Sequence, residues 1–189
     1  MTGVEAPGPL ALHDGGLDAT AAVVARVRPD QLGLPTPCAA WDVRGLVGHL
    51  VEANDLFTVA AGADPPPHPD DDPLASYAVS THAVRRAWHR PGLLDEEVTL
   101  PFGSFPGWVA VRMHFVDHFV HGWDLAVATG QDAALDPVLA TAAYQEMSEA
   151  LVGAPRGPGL PFGPAVPWPD DAPVHERLVA LLGRRPRAR

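Results

Sequence analysis

The chain has 189 residues, of which 47% are hydrophobic, and its formal net charge is -10 at pH 7. This length can form one domain with a substantial core, and the acidic charge argues against a nucleic-acid partner, whose phosphates require a basic surface. No apolar run approaches the roughly 20 residues that span a bilayer, and the N-terminus lacks the features of a secretory signal. The single cysteine, Cys38, excludes an internal disulfide framework. We therefore expect a cytoplasmic protein that binds neither nucleic acid nor membrane.

The first half of the chain predicts helices separated by proline-rich segments. Residues 1–14 contain several glycines and prolines and are expected to form a flexible lead-in. Three helices follow, at about Leu17 to Arg28, Val43 to Ala61 and Leu74 to His89. Pro29 ends the first helix, and Asp42 is a typical N-cap for the second. The prolines of residues 63–73 exclude a helix or sheet interior, so this segment is expected to be a linker loop.

The second half of the chain completes an all-α pattern. An extended crossover at 96–103, with at most marginal strands, leads to three more helices, predicted at Pro106 to Thr129, Pro137 to Leu151 and His175 to Leu182. Residues 153–173 form a Pro/Gly-rich C-terminal extension, and residues 184–189 are expected to be a basic tail. Helices joined by one long crossover predict a single helical bundle, which we place at residues 15–183.

The fourth predicted helix carries a stripe of ligand-type side chains. At about 100° per residue, one side of this helix holds His114, Asp117, His118, His121 and Asp124. A solvated helix face usually carries Lys, Glu, Arg and Gln instead. Short imidazole and carboxylate side chains four residues apart lie roughly 5–6 Å from each other on a helix, which suits a metal ion. The stripe therefore predicts a metal site.

Two ligands of this site could come from the pair Asp117 and His121, with His49 of the second helix as a third. Three protein ligands leave a position for water or substrate, as in catalytic zinc sites. His114 and His118 form a competing pair at the same spacing, and the histidines could also line a polar groove without a metal. Asp124 could orient an imidazole or could meet a backbone amide at the end of its helix.

Three pieces of the sequence resemble one family of metal-binding proteins. The first contains the string T-P-C-A-A-W at residues 36–41, the second contains V-H-G-W-D-L-A at residues 120–126, and the third spans residues 161–183. They resemble the proteins related to the N-terminal domain of mycothiol-dependent maleylpyruvate isomerase, within the DinB-like helical bundles. The resemblance extends from about residue 15 to residue 183.

This resemblance implies a DinB-like four-helix bundle that binds a divalent metal, usually zinc, between its helices. The family's ligand positions correspond to His49, Asp117 and His121. The isomerases have glutamate where this chain has Asp117, which is one methylene shorter. They also carry an additional C-terminal domain, whereas this chain is expected to end soon after its bundle.

The resemblance leads to two hypotheses for function. In the first, the protein is a mycothiol-dependent isomerase or S-transferase-like enzyme, in which the metal activates a low-molecular-weight thiol toward an electrophilic substrate. No protein side chain is then assigned a catalytic role, and the partners are the thiol and the electrophile. In the second, the protein is a non-catalytic module whose metal has a structural or ligand-sensing role. A homodimer is compatible with either hypothesis.

Overall fold

The computed structural model describes residues 7–69, 71–157 and 162–186 and shows a helical bundle. Its α-helices are α1 (Pro9–Val24), α2 (Val43–Ala60), α3 (Pro73–Trp88), α4 (Gly107–Thr129), α5 (Pro137–Ala150) and α6 (Val174–Leu181). Short 3-10 turns lie at Pro29–Gln31 and Leu93–Asp95. The predicted all-α fold is confirmed. None of the described helices combines the length and apolar character needed to span a bilayer.

Local capping explains why α2, α3 and α5 begin close to their predicted positions. The Asp42 carboxylate accepts a hydrogen bond from the backbone of Gly45, and Asp72 and Asp136 cap α3 and α5 in the same way. These carboxylates satisfy N–H groups that have no partner inside the helix. At its other end α4 is terminated by Gly130, which adopts a left-handed conformation with φ 72°.

The crossover between α3 and α4 contains a small antiparallel hairpin. Strands β1 (Glu97–Leu100) and β2 (Gly103–Pro106) pair from Glu97 with Pro106 to Leu100 with Gly103. Val98 and Leu100 are buried against Trp88 and Val111, while the alternate residues of β1 face solvent. This alternation is expected of a strand with one face on the core. The hairpin therefore covers one side of the bundle.

Helix α1 departs from its predicted position at both ends. It begins at Pro9 and ends at Val24, whereas the sequence predicted Leu17 to Arg28. Residues 9–14 are therefore helical and are not part of a flexible lead-in; residues 1–6 lie outside the described residues. Proline at the first helical position favours the earlier start, and packing of Gly16 on Phe115 offsets the low helix propensity of the Gly15–Gly16 pair.

Close packing of α1 against α4 depends on glycines. A Cβ added at Gly16 would lie 2.6 Å from Phe115 Cδ2 and 3.4 Å from the Phe115 backbone oxygen. A Cβ added at Gly122 would lie 2.7 Å from Thr20 Oγ1. The Thr20 hydroxyl also donates a hydrogen bond of 2.8 Å to the backbone oxygen of His118. The two helices therefore pack with almost no space between their backbones.

Helix α4 is the central helix of the bundle. One of its sides carries five apolar residues, and all of them are buried: Phe115, Val116, Phe119, Val120 and Trp123. Most of the opposite, polar side is buried as well, including His114, His118, His121 and Asp124. Polar groups removed from water need partners inside the protein. This requirement shapes the site described below.

We predict that Gly16→Ala lowers the free energy of unfolding by about 1–3 kcal/mol, because the added methyl group forces α1 away from Phe115. The matched control is Gly48→Ala in α2, where an added Cβ has no heavy atom within 4 Å. That control should be neutral or stabilising by up to about 1 kcal/mol, as alanine favours helix. Urea unfolding of both variants measures the difference, and equal stabilities would contradict the packing argument.

Candidate metal centre

His49, Asp117 and His121 lie together between α2 and α4. One ligand-type atom from each residue lies within 4.8 Å of the other two. His49 Nε2 is 3.4 Å from Asp117 Oδ2, and His121 Nε2 is 3.5 Å from Asp117 Oδ1. Asp117 and His121 lie four residues apart on α4, and His49 lies on α2, whose start is capped by Asp42. The three residues that the sequence selected therefore meet in one place.

The spacing of these atoms fits a shared metal ion better than mutual hydrogen bonds. Distances of 3.4–3.5 Å are long for a charge-assisted hydrogen bond, which is usually about 2.7–2.9 Å. Ligands at about 2.0–2.2 Å from a tetrahedral zinc ion stand roughly 3.4 Å apart. Asp117 Oδ2 also has no hydrogen-bond partner among the described residues. Two imidazoles and one carboxylate form a borderline nitrogen and oxygen donor set, which suits zinc.

The charges of the site favour a bound cation. Burial opposes ionisation of Asp117, but the hydrogen bond with His49 and the nearby His121 and His118 rings bring its pKa down to about 2. The Asp117 carboxylate in turn raises the pKa of His49 against the opposing effect of burial. About a third of the Asp117 side chain and a quarter of the His49 side chain remain exposed. The site thus offers an ionised carboxylate that a small molecule can approach.

The second ring nitrogen of His121 is held inside the protein. His121 Nδ1 lies 2.9 Å from Asp124 Oδ2, and Asp124 is fully buried. An ionised carboxylate accepts hydrogen bonds, so the proton is placed on Nδ1 and the lone pair on Nε2, which faces Asp117. Burial opposes ionisation of Asp124, yet His121 and Arg184 lower its pKa. Of the two roles considered for Asp124, the geometry supports orientation of an imidazole.

A loop that precedes α2 covers one side of the site. The ring of Trp41 stacks on His49 with a centroid distance of 4.4 Å and meets His121 edge-on at 5.8 Å. The hydroxyl of Thr36 donates to the backbone oxygens of Cys38 and Trp41, which fixes the turn. The string T-P-C-A-A-W at residues 36–41, one of the pieces that resemble the family, was the signal that could have placed Trp41 here.

His114 and His118, the competing pair, do not belong to the group of three, although His118 Nδ1 lies 4.0 Å from Asp117 Oδ2. His114 Nδ1 is 2.8 Å from Nε2 of His13 on α1, and its ring stacks on Phe57. His118 is fully buried, and neither of its ring nitrogens has a hydrogen-bond partner among the described residues. The polar stripe extends into the interior because α1 and α3 cover it.

Arg184 is a further residue that sequence reasoning missed. The sequence placed it in a basic tail at 184–189, but its side chain is only 11% exposed and pairs with Asp124. Residues 187–189 lie outside the described part of the chain. The sequence contained no local signal for this contact, because the two residues are 60 positions apart.

Comparison with protein families gives a match over more than half of the chain. The family described as the mycothiol maleylpyruvate isomerase N-terminal domain matches residues 14–126. This chain belongs to that family. The match includes the Trp41 loop and all three residues of the candidate metal centre, which lie within its bounds.

Two uncharacterized proteins of Mycobacterium tuberculosis are similar over nearly the whole chain. They are MT0763 of strain CDC 1551 / Oshkosh and Rv0738 of strain ATCC 25618 / H37Rv. Each is 39% identical over 179 residues, which cover 93% of this chain and 97% of the relative. The similarity therefore extends beyond the segment matched by the family and includes α5. No solved structure matches the chain significantly.

We predict that His121→Ala removes tight zinc binding, whereas His118→Ala leaves the zinc affinity within about threefold of the wild type. His121 is one of the three grouped donors, and its loss should exceed the about 10–100-fold effect typical of residues that only support a ligand. Competition titrations against a chelator of known affinity measure both variants. The reverse order of effects would show that the wrong histidine had been chosen.

The buried His13–His114 pair predicts a loss of stability on acidification. Burial, with the nearby His118, Arg85 and His89, lowers the pKa of His13 to about 3, and burial lowers that of His114 well below its usual value. Both folded-state pKa values lie below the unfolded value of about 6.5. The unfolded chain therefore takes up these protons first, and each group lowers the free energy of unfolding by about 1.4 kcal/mol per pH unit below 6.5.

Urea unfolding of metal-free protein between pH 7 and pH 5 measures this dependence. His13→Gln removes one titrating group and should give a shallower slope, although it also costs stability. His82→Ala, at an exposed position of α3, is the control and should keep the wild-type slope. His49 acts in the opposite direction because its pKa is raised, so the comparison rests on the difference between variants. Identical slopes for all three proteins would contradict the prediction.

Proposed function

We propose that this protein binds one divalent metal ion, most readily zinc, through His49, Asp117 and His121, and uses it in mycothiol-dependent chemistry. The observation that carries the proposal is the grouping of two imidazoles and an ionised carboxylate, whose spacing suits a common ion. Membership of the mycothiol maleylpyruvate isomerase N-terminal domain family supports a low-molecular-weight thiol as the partner. The reaction class is a thiol-dependent isomerisation or an S-transfer.

The charges of the donor set support an anionic partner. Two neutral imidazoles and one carboxylate carry a charge of -1, and Asp124 is balanced by Arg184. A divalent ion held by these donors would leave a positive charge, and when bound it would lower the pKa of a thiol at its open position. The role of the protein is to keep Asp117 ionised, to turn His121 Nε2 toward the site and to hold His49 against Trp41.

The structure supports access from one side. His49 and Asp117 are partly exposed, whereas the His121 side chain is 10% exposed and contacts Trp41 and Asp124. The plane of Trp41 borders the opening and offers an apolar surface beside the ligands. A thiol with a polar, sugar-like body could therefore reach the site from solvent while its sulfur lies next to the buried histidine.

The proposal does not need a nucleophile from the protein. Burial raises the pKa of the lone thiol, Cys38, so that it is predominantly protonated at neutral pH. The weaker opposing influence of Arg184 does not reverse this shift. A low-molecular-weight thiol supplied from outside would then be the nucleophile, and its proton would leave to solvent as the sulfur is bound.

We predict that zinc-loaded protein binds mycothiol with the release of about one proton, because a thiol that binds as the thiolate must lose its proton. Titration calorimetry in two buffers of different ionisation enthalpy measures that number. The matched ligand is S-methyl mycothiol, which keeps the polar body but cannot form a thiolate. The matched protein is zinc-free wild type, and both controls should bind weakly and without proton release.

Two outcomes would contradict this function. Equal binding of mycothiol and its S-methyl derivative would mean that sulfur does not reach the metal. No binding of either ligand to a protein that retains zinc would favour the alternative, a non-catalytic metal-binding module with a structural or ligand-sensing role.

A further inference from the structure

A chain of buried polar contacts joins the C-terminal segment to the candidate metal ligand His121. Arg184 Nη2 donates to Asp124 Oδ2 at 2.8 Å, and Arg184 Nε donates to Asp124 Oδ1 at 3.2 Å. The same Asp124 Oδ2 lies 2.9 Å from His121 Nδ1. The guanidinium group therefore holds both oxygens of the carboxylate that orients the histidine.

This series of polar contacts is shielded from water along its whole length. The Asp124 side chain is fully buried, and the side chains of Arg184 and His121 are 11% and 10% exposed. A buried carboxylate with only one neutral imidazole as partner would carry an uncompensated charge, which is strongly unfavourable. The two-point contact with Arg184 balances this charge and also fixes the plane of the carboxylate, because the donors of a guanidinium group are rigidly arranged.

The fold delivers Arg184 to this position through α6. Leu178 and Leu182 pack into the hydrophobic cluster that contains Phe115 and Phe119 of α4. Gly183 then adopts a left-handed conformation with φ 85°, which turns the chain at the end of α6. The backbone N–H of Arg184 donates to the oxygen of Val179, which closes the turn. The position of the arginine therefore depends on docking of the whole segment 174–186.

We propose that Arg184 is a positioning residue that couples docking of the C-terminal segment to metal binding. By fixing Asp124 it holds the His121 ring with Nε2 toward Asp117 and His49, so the C-terminal segment completes the site without touching the metal. Coupling of this kind is reciprocal: a docked segment raises metal affinity, and a bound metal stabilises docking. The inference rests on the proposed metal site. It adds Arg184 and the segment 174–186 to the parts of the protein that determine metal affinity.

Zinc affinity of charge-matched variants tests the first half of this coupling. Arg184→Ala should weaken zinc binding by about 10–100-fold, which is typical for loss of a residue that supports a metal ligand. Arg184→Lys keeps the charge and should recover part of the loss. The control is Arg185→Ala, which removes the same charge from the adjacent, exposed position and should bind zinc like the wild type. Equal losses in Arg184→Ala and Arg185→Ala would overturn the proposal.

A double-mutant cycle separates positioning from general stabilisation. If Arg184 acts through Asp124, then Arg184→Ala should change the zinc affinity by less than about threefold in an Asp124→Asn background, because the link is already broken. A merely structural arginine would instead cost the same factor in both backgrounds, and that result would overturn the proposal.

Hydrogen exchange of the wild-type protein tests the other direction, and its main comparison, zinc-loaded against zinc-free protein, needs no variant. Zinc should slow amide exchange in residues 179–185, and Arg184→Lys should reduce that response. If wild-type protein binds zinc but exchange in this segment does not change, only the coupling is wrong. If the wild-type protein binds no zinc at all, the proposed metal site is wrong as well, so the two failures are distinguishable.

Discussion

The buried hydrogen bond between His121 and Asp124 is the interaction on which the candidate site depends. It lies on the side of α4 that the bundle covers, where an unpaired carboxylate or imidazole would be costly. Arg184 balances the charge of Asp124 from the C-terminal segment, while Asp117 and His49 meet the free nitrogen of His121 from the other side. The contacts that pack the bundle therefore also determine the geometry of the site.

The helices that carry the site are held in place by apolar contacts. Val47 and Leu50 of α2 pack with Leu125 of α4, and the hairpin and α1 cover other sides of the same helix. A core of this extent does not require an ion to form, unlike a small zinc-dependent domain. Packing of the helices therefore arranges the three candidate donors without the help of an ion.

Local signals explain what the sequence could predict, and distant contacts explain what it could not. The aspartate caps and the 3.6-residue period placed α2 to α5 within a few residues. The i, i+4 spacing offered two pairs on α4, and the resemblance to the family selected Asp117 and His121. The sequence placed the start of α1 too late because the Gly15–Gly16 pair has low helix propensity. The packing of Gly16 on Phe115, which offsets this, is a tertiary contact that the sequence does not show. His13 and His114 are 101 positions apart, so their hydrogen bond had no sequence signal.

X-ray absorption at the zinc edge, on protein loaded with one equivalent of zinc and no thiol, tests the central claim most directly. The site described here predicts nitrogen and oxygen ligands at about 2.0–2.2 Å with the scattering pattern of two imidazoles, and loss of this signal in Asp117→Ala. A sulfur ligand at about 2.3 Å would place Cys38 on the metal. Three or more imidazoles would bring His114 or His118 to it, and either result would contradict the grouping of His49, Asp117 and His121.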